Sequence, residues 1–259
     1  MDIRRHFVFA VLSAFFFFPA RADTAAAIEP AAIPSAEKRP QRGALYRIRH
    51  QKGTAYLFGT IHAGKPGYFP LNAEVTQALA ASSKLIVEID LRKQDRFAAA
   101  LDRVGMYRDG TTIDRHVSVD TLLRLKKATD LFGIRFDSIA RMKPWMIANL
   151  LTSVDIERYG LHLSQGVDLH LLTLAGPTKA VLELESAAYQ LSLFGEMRMS
   201  DQETYLLETL DSIETGEGIE QAHAIANAWA NADSGKLNAV MLEGAKEKPV
   251  SSAFLQDVC

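Results

Sequence analysis

Residues 56–90 constrain the fold more than any other stretch of this chain. They read Tyr56-Leu57-Phe58-Gly59-Thr60-Ile61-His62, then a loop, a short helical pattern, and Leu85-Ile86-Val87-Glu88-Ile89-Asp90. The first piece is an apolar, aromatic run stopped by glycine, which suits a buried strand. Gly64, Pro66, Gly67 and Pro70 make the next segment a loop. Asn72 can cap a helix with Glu74 in its first turn and Val75, Ala78 and Leu79 on one face. The second apolar run is again strand-like. Strand, helix and strand in this short compass predict a βαβ unit with parallel strands.

That unit places chemistry. Sites in open parallel sheets form beyond the carboxyl ends of strands. His62 lies just past the first strand, and Glu88 and Asp90 lie at the end of the second. A carboxylate in a buried strand is costly unless paired, hydrogen-bonded or metal-bound. An imidazole and carboxylates at one edge suggest a metal site or an acid–base site. Plainer readings stand beside these: a histidine after a strand is often a turn residue, and Glu88 can simply pair with an arginine or lysine.

The rest of the chain predicts one α/β domain, with a small, mostly parallel sheet, a preceding β-hairpin and many covering helices. Leu45-Tyr46-Arg47-Ile48-Arg49 alternates apolar and basic residues and turns through residues 51–54 into the Tyr56 strand. Helices are expected over residues 92–104, after Ser118 or Asp120 as far as Gly133, from Pro144 to Leu150, and from Gly166-Val167-Asp168 to Ala175. Lys179-Ala180-Val181-Leu182-Glu183-Leu184-Glu185 is a third strand-like run that ends in carboxylates. If it is parallel to the Glu88 strand, Glu185 joins His62 and Glu88 at one edge. Ser200-x-x-Glu203 reads as a capping box. Trp145 and the stripe Ala222, Ile225, Ala226 and Trp229 read as core.

The N-terminus reads as a targeting segment. Arg4 and Arg5 precede a Phe-rich apolar run, and Ala20-Arg21-Ala22 is a small-x-small cleavage site. Residues 1–22 are therefore expected to be a secretory signal peptide cleaved after Ala22, which delivers a periplasmic or secreted protein with no stable membrane span. Residues 23–43, with Pro30, Pro34 and Pro40, read as a flexible linker. The net charge of −2 gives no reason to expect nucleic acid as a partner. Cys259 is the sole cysteine, so neither an internal disulfide nor a thiolate zinc site can form.

Several motifs in order resemble the TraB/GumN family, which includes the TIKI metalloproteases. They are residues 56–62, Tyr68-Phe69-Pro70-Leu71, Val87-Glu88-Ile89-Asp90, Lys143-Pro144-Trp145, Gly166-Val167-Asp168, and Leu184-Glu185-Ser186 with Gln190-Leu191. The resemblance runs over residues 45–258. It implies a metal-dependent hydrolase that cleaves a peptide or polymer substrate. Its divalent ion (Mn, Co or Zn) would be held by His62, Glu88 and Glu185, which are also the catalytic candidates, with Asp90 and Asp168 behind them. Ser186 departs from the family's usual threonine. The family carries a second Gly-x-x-His motif that is not found here; Gly166 and His170 have one residue too many between them. The domain over 44–259 is therefore expected to be C-terminally incomplete, with metal binding and turnover impaired. Two rivals are a metal-free hydrolase using His62 and a glutamate as acid and base, and a non-catalytic periplasmic protein that binds a peptide or polymer.

Overall fold

The computed structural model describes residues 41–50 and 53–247, with side chains to residue 243. The signal peptide, most of the linker, two residues of the hairpin turn and the last twelve residues lie outside the described residues.

Among the described residues, two small sheets and ten α-helices make the fold. Strands β1 (Leu45–His50) and β2 (Gly53–Phe58) form the expected antiparallel hairpin, with Leu45 opposite Phe58 and His50 opposite Gly53. Helix α1 (Ala73–Ala81) leads into β3 (Lys84–Val87). Helices α2 (Gln94–Gly105), α3 (Val119–Phe132), the short α4 (Phe136–Ile139), α5 (Pro144–Arg158) and α6 (Val167–Ala175) follow. Strand β4 (Ala180–Glu183) then pairs parallel to β3, with Leu85 opposite Val181 and Val87 opposite Glu183. Helices α7 (Ala187–Gly195), α8 (Met199–Thr215), α9 (Glu217–Ala230) and α10 (Ser234–Glu247) complete the described chain. Among the described residues, no helix is long and apolar enough to cross a membrane.

The expectation of parallel strands is met between β3 and β4, not between β2 and β3. Among the described residues, β2 pairs with β1 and not with β3. A close hairpin partner is cheaper to reach than one beyond a loop and a helix, because loop closure costs entropy.

The main core is built on α5. Pro144 begins this helix, and Trp145, Ile147, Ala148 and Leu151 are wholly enclosed. Trp145 stacks on Phe194 of α7 with ring centroids 5.1 Å apart. Being apolar around much of its circumference, α5 has to be enclosed by other helices. Leu85, Val87 and Val181 seat the inner face of the parallel pair on this core.

A second, smaller core joins the hairpin to the rest of the chain. Trp229 of α9 packs with Tyr68, Leu71, Val75, Val167 and Leu171. Its indole N–H donates to the carbonyl of Gly59 at 2.8 Å, and its own carbonyl accepts from the N–H of Gly43 at 2.8 Å. Of the stripe Ala222, Ile225, Ala226 and Trp229, the last two are buried core and the first two half-buried, and Trp229 fixes the segment leading to His62.

One capping expectation fails. Ser200 lies inside the first turn of α8 rather than at its N-cap, which is Arg198. Glu203 instead reaches α3, where its carboxylate accepts from the N–H of Ser118 and the hydroxyl of Thr121, each at 2.7 Å. Ser118 caps α3 as expected, accepting from the N–H of Thr121 at 3.2 Å. At the N-terminus of α3 the carboxylate satisfies an N–H donor and is favoured by the helix dipole.

Candidate functional site

The segment after β2 and the start of α6 are stitched backbone to backbone. Gly64 and His162 exchange hydrogen bonds, Gly64 N–H to His162 carbonyl at 3.0 Å and His162 N–H to Gly64 carbonyl at 2.6 Å. The N–H of Val167 donates to the carbonyl of Ile61 at 2.8 Å. This approach demands glycine at Gly166, where a Cβ would lie 2.6 Å from the carbonyl oxygen of His62. Gly64 is under the same constraint against the backbone of Gln165.

The stitching sets His62 against Asp168. Nδ1 of His62 and Oδ1 of Asp168 are 3.1 Å apart, and both side chains are largely buried. Asp168 sits in the first turn of α6, where the helix dipole favours a carboxylate. Burial alone would push the His62 imidazole down. The charges of Asp168 and Glu88 outweigh it and hold the imidazole above its ordinary value.

Glu88 stands just beyond β3 in the same cleft. Burial pushes its carboxyl up to about 7, and Glu185 and Asp168 add to the rise while His62 opposes it. A carboxyl pushed up to about 7 and an imidazole held above its ordinary value, in one cleft, can exchange a proton with a bound reactant. The cleft has a volume of about 680 Å³ and is lined by residues of β2, α1 and β3 together with His62, Glu88 and Asp168.

The other candidates are placed differently. Glu185 follows β4 alongside Glu88, its N–H donating to the Glu88 carbonyl at 3.1 Å, but its side chain is not among those lining the cleft. Asp90 is turned away: its buried carboxylate takes Nε and the terminal nitrogen of Arg92 at 2.8 and 2.7 Å, and its N–H donates to Glu183. The strand ends at Val87, so the alternation that would set Asp90 beside Glu88 does not persist. His162 pairs with Glu157 at 3.0 Å, and His170 stacks on Phe69. His223 contacts the carbonyl oxygen of Tyr159 at 3.2 Å. None of these three histidines lines the cleft.

A catalytic divalent ion needs about three protein donors. Among the described residues, no three His, Cys, Asp or Glu side chains are arranged to hold one. The contact that sequence reasoning underrates is the direct one from Asp168 to His62; the signal for it is the Gly166-Val167-Asp168 helix start.

Comparison with known proteins agrees with the motifs. The model of the TraB/PrgY/gumN family matches residues 44–258. The uncharacterized protein YbaP of Shigella flexneri is 27% identical over 155 residues, which is 60% of this chain and 56% of that protein. YbaP of Escherichia coli is 27% identical over 154 residues, 59% of this chain and 55% of that protein. An uncharacterized protein of Treponema pallidum is 23% identical over 177 residues, 68% of this chain and 53% of that protein. The chain thus spans about half the length of the relatives it matches. No solved structure matches it with comparable significance.

Proposed function

Because the chain belongs to the TraB/PrgY/gumN family, we propose that it is an exported hydrolase that cleaves peptide bonds, with His62 and Glu88 as its acid–base pair. The observation that carries this reading is the His62–Asp168 pair beside a Glu88 carboxyl pushed up to about 7. Asp168 engages Nδ1, so proton transfer at the ring runs through Nε2. Between them, His62 and Glu88 can carry a transferable proton. The group without it takes a proton from an attacking water; the group with it protonates the departing amine. Asp168 orients the imidazole and stabilises its charged form. Export is supported by the basic, apolar and small-residue order of residues 1–22.

A divalent-metal hydrolase is the second reading. The feature that favours it is the carboxylate behind the imidazole, the usual way of orienting a ligating histidine. Such an ion would polarise the scissile carbonyl and lower the pKa of its water. The described side chains do not form a three-donor cage as they stand, and no step above runs through a metal.

The test is cleavage of fluorescently quenched casein by the purified chain and by its His62→Ala and Glu88→Gln variants, with metal content measured on the same samples. Turnover lost in both variants supports the proposal. Turnover that both variants retain overturns it, and a protein that binds peptide without cleaving it is the binding protein of the rival reading. Stoichiometric metal that His62→Ala abolishes moves the assignment to the second reading.

A further inference from the structure

Strand β2 is hydrogen-bonded on one side only, to β1, and β3 on one side only, to β4; among the described residues, neither opposite edge is paired. Residues 54–58, along β2, and residues 82–89, along β3, line one and the same cleft with His62, Glu88 and Asp168. Two strands that each contribute an unbroken run to the lining of one cleft present their backbones to it, as a slot rather than a generic apolar groove.

We propose that this slot takes an extended peptide as an added strand, paired through its main chain to β2 and β3, so that its backbone passes His62 and Glu88. An unpaired strand edge offers alternating N–H and C=O groups, and the ligand that matches them on both sides is another extended backbone. Strand β2 has six residues and β3 has four, so the matching segment is about four to six residues long, at about 3.3 Å per residue. Leu57 and Ile86 are 60% and 57% exposed on the two strands, large values for aliphatic strand residues. They would flank alternate side chains of the added strand and favour Val, Ile or Thr there. A folded second copy pairs most readily through the outer edges of β1 or β4, whereas a slot between strands admits a free segment. This inference rests on the hydrolase reading for what happens to the peptide, but not for its binding.

The probe is a fluorescein-labelled pool of hexapeptides with Val or Thr at alternate positions, and the same pool N-methylated at every second amide. Binding is followed by polarisation on the His62→Ala variant, which removes turnover. Hydrogen exchange is followed at the amides of β2 and β3. Tighter binding of the unmethylated pool by at least about tenfold, with slowed exchange on both strands, is the expected result. Leu57→Lys and Ile86→Lys, both at exposed positions, should weaken binding and leave the melting temperature unchanged. Equal binding of the two pools, or no binding, overturns the slot and leaves the hydrolase proposal to its own test. Strand-like binding with no cleavage by the unsubstituted chain leaves the slot standing and overturns the hydrolase. Slow exchange on both strands before peptide is added shows a slot already filled, by this chain in a monomer or by a second copy in a dimer, and overturns the proposal.

Discussion

The N–H of Val167 donates to the carbonyl of Ile61 at 2.8 Å, and that bond ties the start of α6 to the segment beyond β2. His62 follows Ile61 and Asp168 follows Val167, so a single backbone contact sets the imidazole against the carboxylate. The histidine is then a group held by its surroundings: a Cβ at Gly166 would lie 2.6 Å from its carbonyl oxygen, and its Nδ1 is 3.1 Å from Asp168.

Asp168→Asn keeps the shape and removes the charge. Burial then acts on His62 unopposed by its strongest partner, and the imidazole should titrate lower. Because the folded-state value is raised, the pair contributes stability that is full below the ordinary value of 6.5. That contribution fades as pH rises through the folded value. Asp168→Asn should therefore destabilise more at pH 5.5 than at pH 9. Activity should fall about 10- to 100-fold, as for other groups that orient a functional histidine. Histidine titration by NMR checks the shift; an unmoved His62 would sever the link to Asp168.

Glu88→Gln should give a more stable and less active protein. The folded carboxyl is raised from 4.5 to about 7. Below the unfolded value both states are protonated and nothing is lost. Between the two values the folded state holds the proton longer, so stability falls as pH rises; above the folded value the penalty is constant. Discounted for solvent screening, it is on the order of 1–2 kcal/mol. At pH 8 the substitution should raise the melting temperature by roughly 2–8 °C, and at pH 4 by almost nothing. A melting temperature that does not rise at pH 8 would contradict the burial argument.

Much of the fold could be read from local pattern, and less of the site could. The β3–β4 pair follows from two short apolar runs, each ending in carboxylates after a helix. The hairpin follows from the alternation at Leu45–His50. The partner of β2 could not be read this way, since an apolar run specifies burial and not which edge it meets. Asp90 was legible as a carboxylate but not as the partner of Arg92, because the bend after Val87 breaks the two-residue period. Glu203 fitted a local motif and is used instead across two helices. The His62–Asp168 contact joins elements far apart in sequence, and no periodicity encodes it.

Gly166→Ala tests the stitching. The added methyl would lie 2.6 Å from the His62 carbonyl oxygen, a backbone atom that cannot swing aside. The segment must shift, at a cost of about 1–3 kcal/mol. Gly67→Ala, where a Cβ meets open space, is the control. Gly166→Ala should lose activity by more than its stability loss predicts at a temperature where both proteins are folded. Full activity would show that the backbone contact does not position His62.

Glu203→Gln tests the cross-helix cap. The carboxylate accepts from Ser118 N–H and Thr121 hydroxyl at the start of α3. Partial burial pushes its carboxyl up, but these hydrogen bonds outweigh that and hold it below its ordinary value. A lowered folded-state value contributes stability above the unfolded value of about 4.3, and that contribution is lost as pH falls through the folded one. At pH 7 the amide can still accept but has lost the charge, so the expected cost is about 1 kcal/mol. Glu203→Ala, which leaves the Ser118 N–H to Ser118's own end of the helix and to water, should cost more than the amide. As pH falls through the folded value the parent is protonated too, so the gap between parent and Glu203→Gln should narrow from pH 7 to pH 3. Chemical denaturation at both pH values measures it. Ser200→Ala completes the comparison: as the serine does not cap α8, its loss should cost under about 0.5 kcal/mol, whereas a loss of 1 kcal/mol or more would restore the local capping box that the Glu203 contacts replace.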